Sequence, residues 1–247
     1  MTAGIIGNTT LTKKVVDFLL SKGDVIKYIF GLPEEDLRNK SNACDLKPLC
    51  HRESINYIQS NDWSLILNQK VDVVYEMGDS RLVPEAFINK HYVVGNHGAV
   101  LPLIQGGASL VWGRMLNDGK WGVSLMRLKE KIDQGDILSV KNLDYCPAST
   151  TMKDFVEQCD EATLSCVKEN HNNFSIIDTN VAPTIRVPKK KDSQEVVKIL
   201  KFSLDNNISV YLPPRSPEES VLKKEWNSDF AEAFKIANDY PYPKYTA

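Results

Sequence analysis

Two side chains in this sequence are of types that can move a proton. His97 stands in the string Gly95-Asn96-His97-Gly98-Ala99-Val100-Leu101-Pro102, and Asp133 stands in Ile132-Asp133-Gln134-Gly135-Asp136-Ile137, 36 positions later (133 − 97). An imidazole accepts a proton near neutral pH, and a carboxylate beside it orients the ring and raises its proton affinity. Glycines flank both residues, so backbone or ligand can approach closely. The apolar run Tyr92-Val93-Val94 gives way to small residues just before the histidine, the pattern of a strand that ends and delivers a side chain into a cleft. The plainer readings are a core histidine and an aspartate that shapes a turn beside Gly135.

The elements that must position these groups follow from the hydrophobic pattern. Ala3-Gly4-Ile5-Ile6-Gly7 reads as a short buried strand, Val15, Val16, Leu19 and Leu20 form a helical stripe over 11–21, and 25–30 is a second strand. A strand–helix–strand opening begins a parallel α/β sheet. Only Gly4 and Gly7 occupy its first turn, so the dinucleotide fingerprint Gly-x-Gly-x-x-Gly is missing. Residues 31–53 are polar and irregular, and 54–59 and 64–69 read as helical or connecting. A third strand covers 71–75, with Glu76-Met77-Gly78-Asp79-Ser80 as the loop at its end. Short helices are predicted at 84–88 and 109–115. Residues 122–128 and 137–140 read as antiparallel strands with the Asp133 loop between them, and 151–170 as the longest helix. Prolines 183, 188, 213, 214, 217, 241 and 243 punctuate what remains, which divides the chain into a core of 1–182 and a C-terminal appendage of 183–247.

With 247 residues, 42% hydrophobic and 25% charged, the chain can bury a core without staples. A net charge of −2 offers no general attraction to phosphate backbones, which argues against nucleic acid as the partner. Lys189-Lys190-Lys191, followed by Asp192, reads as a solvated loop. The five cysteines are odd in number and lack Cys-x-x-Cys spacing, so neither a disulfide framework nor a zinc site is indicated. No apolar stretch nears the roughly 20 residues of a membrane span, and the first residues do not form a leader. The expected setting is the cytoplasm, with no membrane partner.

The two strings together resemble the folate-dependent formyltransferases, whose core carries Asn-x-His-x-Ser-Leu-Leu-Pro followed by an Asp-x-Gly-Asp-Ile loop. The resemblance extends to Asp72-Val73-Val74-Tyr75 with Leu82-Val83-Pro84, to Trp112-Gly113-Arg114 with Trp121-Gly122-Val123-Ser124, and to Arg215-Ser216-Pro217-Glu218-Glu219 and Asp239-Tyr240-Pro241-Tyr242-Pro243. It runs from about residue 3 to the end. It implies a Rossmann-like α/β core with a mostly parallel twisted sheet flanked by helices. It also implies N10-formyltetrahydrofolate as formyl donor, an amine as acceptor, and no metal. Within the family, the tail looks most like that of sugar N-formyltransferases acting on nucleotide-linked amino-deoxyhexoses. A dTDP-sugar destined for O-antigen or lipopolysaccharide is the expected acceptor, and a homodimer the expected assembly. Glycinamide ribonucleotide and methionyl-tRNA are the other acceptors, although methionyl-tRNA enzymes add a C-terminal β-barrel and a basic face that this chain is expected to lack. A folate or sugar-nucleotide binding protein without catalysis is the remaining alternative.

Residue by residue, the resemblance makes His97 the base or donor and Asp133 its partner. It places folate against backbone groups of Met77, Gly78, Leu82 and Ile132, with Asp136 nearby, and acceptor contacts at Gln105 and Ser109. The sequence departs from the pattern at the family's catalytic Asn, two residues before the histidine, where this chain has Gly95. Asn96 is one residue too late, and on a regular strand it points away from His97. Either a glycine-enabled bulge turns Asn96 into the site, the arrangement expected here, or backbone N–H groups and water replace the amide. Gly98 and Gln105 likewise stand where the family has Pro and Arg.

Overall fold

Short apolar runs become strands and amphipathic runs become helices in the order β1 (Thr2–Ile6), α1 (Thr10–Ser21), β2 (Val25–Gly31), α2 (Glu34–Leu37), α3 (Lys47–Arg52), β3 (Asn56–Gln59), α4 (Ser64–Leu67), β4 (Val73–Glu76), α5 (Glu85–Ile88) and β5 (Val93–His97). The chain continues through β6 (Ile104–Gly106), α6 (Ser109–Leu116), β7 (Lys120–Arg127), β8 (Asp136–Asp144), α7 (Met152–Glu169) and β9 (Asp178–Thr179). It ends with β10 (Ile185–Arg186), α8 (Ser193–Asp205), β11 (Val210–Leu212) and α9 (Ser228–Ala237). The computed structural model describes residues 1–247 apart from 39, 180, 190, 217, 218, 243–245 and 247. Lys190, Pro217, Glu218 and Pro243, used above, therefore lie outside the described residues.

The main sheet has the order β3-β2-β1-β4-β5-β7-β8-β9, parallel from β3 to β5 and antiparallel from β5 onwards. The α/β reading with a mostly parallel sheet flanked by helices therefore holds. Strand order reverses between β1 and β4, and open sheets of this type receive ligands in the crevice beyond such a reversal. The two turns there lie close together: Gly7 has φ of +140°, and a Cβ on it would stand 2.3 Å from the Met77 carbonyl.

Helix α1 starts on Thr9, which exchanges capping hydrogen bonds with Thr12. Its stripe of Leu11, Val15, Val16 and Leu19 packs with Ile5, Tyr75, Val94 and Leu125 on one sheet face. On the other face, Ile6, Phe30, Val74 and Val93 pack with Ile66 and Phe87 from α4 and α5. Each such fully buried aliphatic side chain contributes about 1.5–3 kcal/mol.

Residues 54–59, read as helical or connecting, contain the edge strand β3. Its polar sequence reflects a strand paired on one side only, which gives it none of the continuous apolar signal of β1 or β4. A second sheet, β10-β11-β6, all parallel, had no counterpart in the sequence reading. It draws strands from residues 104–106, 185–186 and 210–212. The side chains around it form one core: Val187, Leu200, Val210, Leu212 and Phe234 pack in the same cluster as Trp112, Trp121 and Phe155.

Candidate active site

His97 is the last residue of β5 and is 6% exposed. The chain after it is pinned by β7. Ser124, the register partner of His97, donates from its hydroxyl to the Ala99 carbonyl and accepts from Leu101 N–H, and Trp121 Nε1 donates to the Gly98 carbonyl. The imidazole Nδ1 lies 3.3 Å from Asp133 Oδ1, and Nε2 lies 3.1 Å from the Ile104 carbonyl. Asp133, itself in the left-handed region at φ of 53°, accepts at Oδ2 from Gly106 N–H at 2.8 Å. Both clamps on the pair, Ile104 and Gly106, come from β6.

This geometry sets the proton arrangement. A carbonyl oxygen only accepts, so the bond to Ile104 requires a proton on Nε2. Nδ1 then faces a carboxylate oxygen, and one further proton between them satisfies both. The carboxylate is the member of the pair that lines a cavity.

That cavity, about 370 Å³, is lined by Asp133, Glu76, Asn96, Leu82, Ile132 and Leu128 among others. A second, of about 360 Å³, lies across Asn96 and is lined by Thr9, Asn42, Gly78, Leu110 and Asp160. Asn96 and Ser80 border both. Asp160 accepts from the Thr10 hydroxyl at 2.9 Å, and burial pushes its carboxyl up to about 6.

The bulge expected near Asn96 does not form. Strand β5 pairs with β7 residue for residue, Gly95 with Met126, Asn96 with Leu125 and His97 with Ser124. Asn96 therefore projects to the face opposite His97. There its Oδ1 accepts from Gly78 N–H at 3.2 Å, tying β5 to the turn after β4.

Gly95 shares the His97 face. In the register of β4 and β5 it stands beside Glu76, whose side chain therefore projects to the same face. A Cβ on residue 95 would lie 3.1 Å from Glu76 Oε2 and 2.7 Å from Leu128 Cδ2. Glu76 Oε1 accepts from Asp79 N–H at 3.0 Å. Burial first, and the Asp79 carboxylate second, push the Glu76 carboxyl up to about 8 against the opposite pull of the Asp79 N–H, Lys40 and Arg81.

The remaining residues implied by the resemblance divide. Leu82 and Ile132 line the Asp133 cavity and are largely exposed. Met77 is fully buried, with its N–H on the Ile6 carbonyl and its carbonyl on the Thr12 hydroxyl, and Gly78 N–H is engaged by Asn96. These bonds occupy the Met77 N–H and the Gly78 N–H and take up one acceptor position of the Met77 carbonyl. Asp136 is buried in an ion pair with Lys129 and lines neither cavity. Gln105 is fully buried and donates its amide to the Val181 and Pro102 carbonyls, and Ser109 at the start of α6 is also buried; neither is among the residues that line these two cavities. Among the described residues, no cluster of three or more His, Cys, Asp and Glu side chains is placed to hold a metal, and no helix is long and apolar enough to cross a membrane.

Glu76 is a buried carboxyl on the cavity wall that the sequence does not single out. Its signal was present: a carboxylate directly after the apolar run Val73-Val74-Tyr75, one step past a strand's end, is placed to be buried. The backbone clamps of β6 left no signal, because main-chain groups have no sequence identity.

No profile of a known protein family matches the chain. Among curated proteins it is similar to the methionyl-tRNA formyltransferase of Dictyoglomus thermophilum, 22% identical over 169 residues, which are 68% of this chain and 47% of that protein. The chain spans about half or less of the length of the first such relatives. Among solved structures, a 4-N formyltransferase from Francisella tularensis superposes with a TM-score of 0.69 at 14% identity, covering 99% of this chain and 90% of that one. A sugar 3N-formyl transferase solved in the presence of dTDP and 5-N-formyl-THF gives 0.67 at 15%, covering 96% and 78%.

Proposed function

We infer that this chain, a member of the folate-dependent formyltransferase family, moves a formyl group from N10-formyltetrahydrofolate to the amine of a nucleotide-linked amino-deoxy sugar. The observation that carries the reading is the His97–Asp133 pair, clamped by β6, with its carboxylate on a cavity that meets a second cavity at Asn96 and Ser80. Two substrates that must exchange a one-carbon group need two such pockets with a shared border. The donor fits the Asp133 side, against Leu82 and Ile132. The adjoining cleft, which contains Lys90, Arg127, Lys129 and Lys131, suits the carboxylates of a folate tail. The acceptor fits the Thr9 and Asp160 side.

The amine nitrogen attacks the formyl carbon, and the carbonyl electrons move to oxygen. The Asp133–His97 pair takes the proton the nitrogen must lose, and the tetrahedral intermediate collapses by expelling N10 of the folate, which receives a proton. Holding both substrates at one border supplies the rest of the advantage through proximity.

The sugar is favoured because a sugar 3N-formyl transferase solved in the presence of dTDP superposes on 96% of this chain. Methionyl-tRNA is the second reading, carried by the sequence relatives. A net charge of −2 gives it no general support. Donor labelled in the formyl group, offered with amino-sugar nucleotides, glycinamide ribonucleotide and methionyl-tRNA, tests the inference. Label in a sugar is the expected result. Label only in another acceptor moves the substrate class, and label in none leaves a binding protein.

A further inference from the structure

The tetrahedral intermediate places negative charge on the former carbonyl oxygen, and that charge needs a donor. His97 gives Nε2–H to the Ile104 carbonyl and its Nδ1 faces Asp133, and Asn96 projects to the other face, where its Oδ1 accepts from Gly78 N–H. Glu76 of β4 is a polar side chain that shares the His97 face and lines the Asp133 cavity. We propose that Glu76 is a catalytic hydrogen-bond donor, whose carboxylic acid hydroxyl stabilises the formyl oxyanion in place of an amide at position 95. The proposal rests on the formyl-transfer reading above.

The geometry assigns the two carboxyl oxygens different tasks. Asp79 N–H donates to Oε1, which makes that oxygen the carbonyl of the acid. Oε2 is left as the hydroxyl, on the side where a Cβ at residue 95 would come within 3.1 Å of it. Glycine at 95 gives Glu76 this room, and the adjacent strand thus fills from β4 the space that β5 leaves empty. Glu76 also lines the Asp133 cavity, so donor and base border one space.

The charged groups acting on Glu76 are Asp79 and Arg81 on its own loop and Lys40 from the segment before α3. Lys129, Glu130, Lys131 and Asp133 stand elsewhere on the cavity wall. Burial outweighs the cations and holds the carboxyl at about 8, so the acid form prevails at neutral pH. A buried carboxylic acid kept neutral is an effective oxyanion donor.

The test compares Glu76→Ala and Glu76→Gln with the parent, using N10-formyltetrahydrofolate and the best acceptor of the panel. Glu76→Ala is expected to lower kcat by about 10²–10³, the usual cost of one oxyanion donor, with little change in KM for the folate. Glu76→Gln restores most of that loss, because its amide N–H also donates. The parent rate falls above about pH 8 as the hydroxyl is lost, and the Gln variant lacks this alkaline limb. Infrared spectra of the free protein give a readout independent of turnover: a protonated carboxyl band at pH 7 that fades through about pH 8 and is missing in Glu76→Gln. An active parent without that band, a Gln variant as slow as Ala, or an unchanged alkaline limb overturns the role of Glu76 alone. A parent that transfers to no acceptor overturns the function itself, and this role with it.

Discussion

The large sheet and the small sheet divide the work of the site between them. Strands β4 and β5 of the large sheet end in side chains with chemistry: Glu76, Asn96 and His97. Strand β6 of the small sheet offers only main-chain groups, yet the Ile104 carbonyl and the Gly106 N–H are what hold His97 and Asp133. Its partner β11 comes from residues 210–212, so the C-terminal segment backs the strand that clamps His97 and Asp133. Reactive groups can be found by residue type. The framework that makes them reactive lies in backbone contacts between distant segments.

The largest expected effect is on the large-sheet side. His97→Ala removes the ring that shares the proton with Asp133, and turnover should fall about 10²–10⁴-fold, the range of general acid–base catalysis, with an unchanged circular dichroism spectrum. Near-normal turnover in a folded variant would remove the histidine from the chemistry.

Gly106→Ala attacks the small sheet. Gly106 has φ of +102°, and a Cβ there would stand 2.1 Å from the Leu212 carbonyl oxygen. Backbone cannot move aside cheaply, so stability should drop by about 3 kcal/mol or more. At about 2–4 °C of Tm per kcal/mol for this size, a thermal melt reads that loss directly. Turnover measured below the new Tm should fall as well, because Asp133 loses its clamp. A variant that melts lower but turns over normally would break the link between the two sheets.

Glu76 gives an effect of opposite sign. Its carboxyl titrates at about 8 in the fold against an ordinary 4.5. Between these values the unfolded chain binds fewer protons than the folded one, so stability is lost as pH rises from about 4.5 to about 8. Glu76→Gln carries no such loss, and its Tm advantage over the parent should widen across that range. A constant difference between the two melts would show that the carboxyl is not perturbed.

Asn96→Ala should have the smallest effect. It removes one hydrogen bond to Gly78 N–H, which costs about 1 kcal/mol, and turnover should change by less than about 10-fold, well short of the loss for an oxyanion donor. A loss of about 10² would return Asn96 to the chemistry.

Much of the large sheet was legible because its inner parallel strands are largely buried and read as mostly apolar runs: 3–7, 25–30, 71–75 and the strand into His97. The edge strand β3 was not, because Asn56, Tyr57 and Gln59 show no buried run. Strands β6, β10 and β11 are two or three residues long, too short for any period to emerge, and β6 pairs with β11 across 106 positions (210 − 104). In the site, His97 and Asp133 were legible from residue type and spacing, and the structure places them 3.3 Å apart. The expected bulge at Asn96 failed because glycine permits irregular backbone without requiring it. Glu76 was overlooked because a carboxylate after a strand reads as loop until the neighbouring strand shows the gap at Gly95 that it fills.

The most direct test of the account is a single-turnover measurement of tetrahydrofolate release from N10-formyltetrahydrofolate with an amino-sugar nucleotide, parent against Asp133→Asn. The amide keeps the side chain's shape and the bond from Gly106 N–H but cannot take a proton. The account predicts rapid release by the parent, together with formylated sugar, and release slowed by about 10² or more in the variant. Equal rates in the two proteins would contradict it.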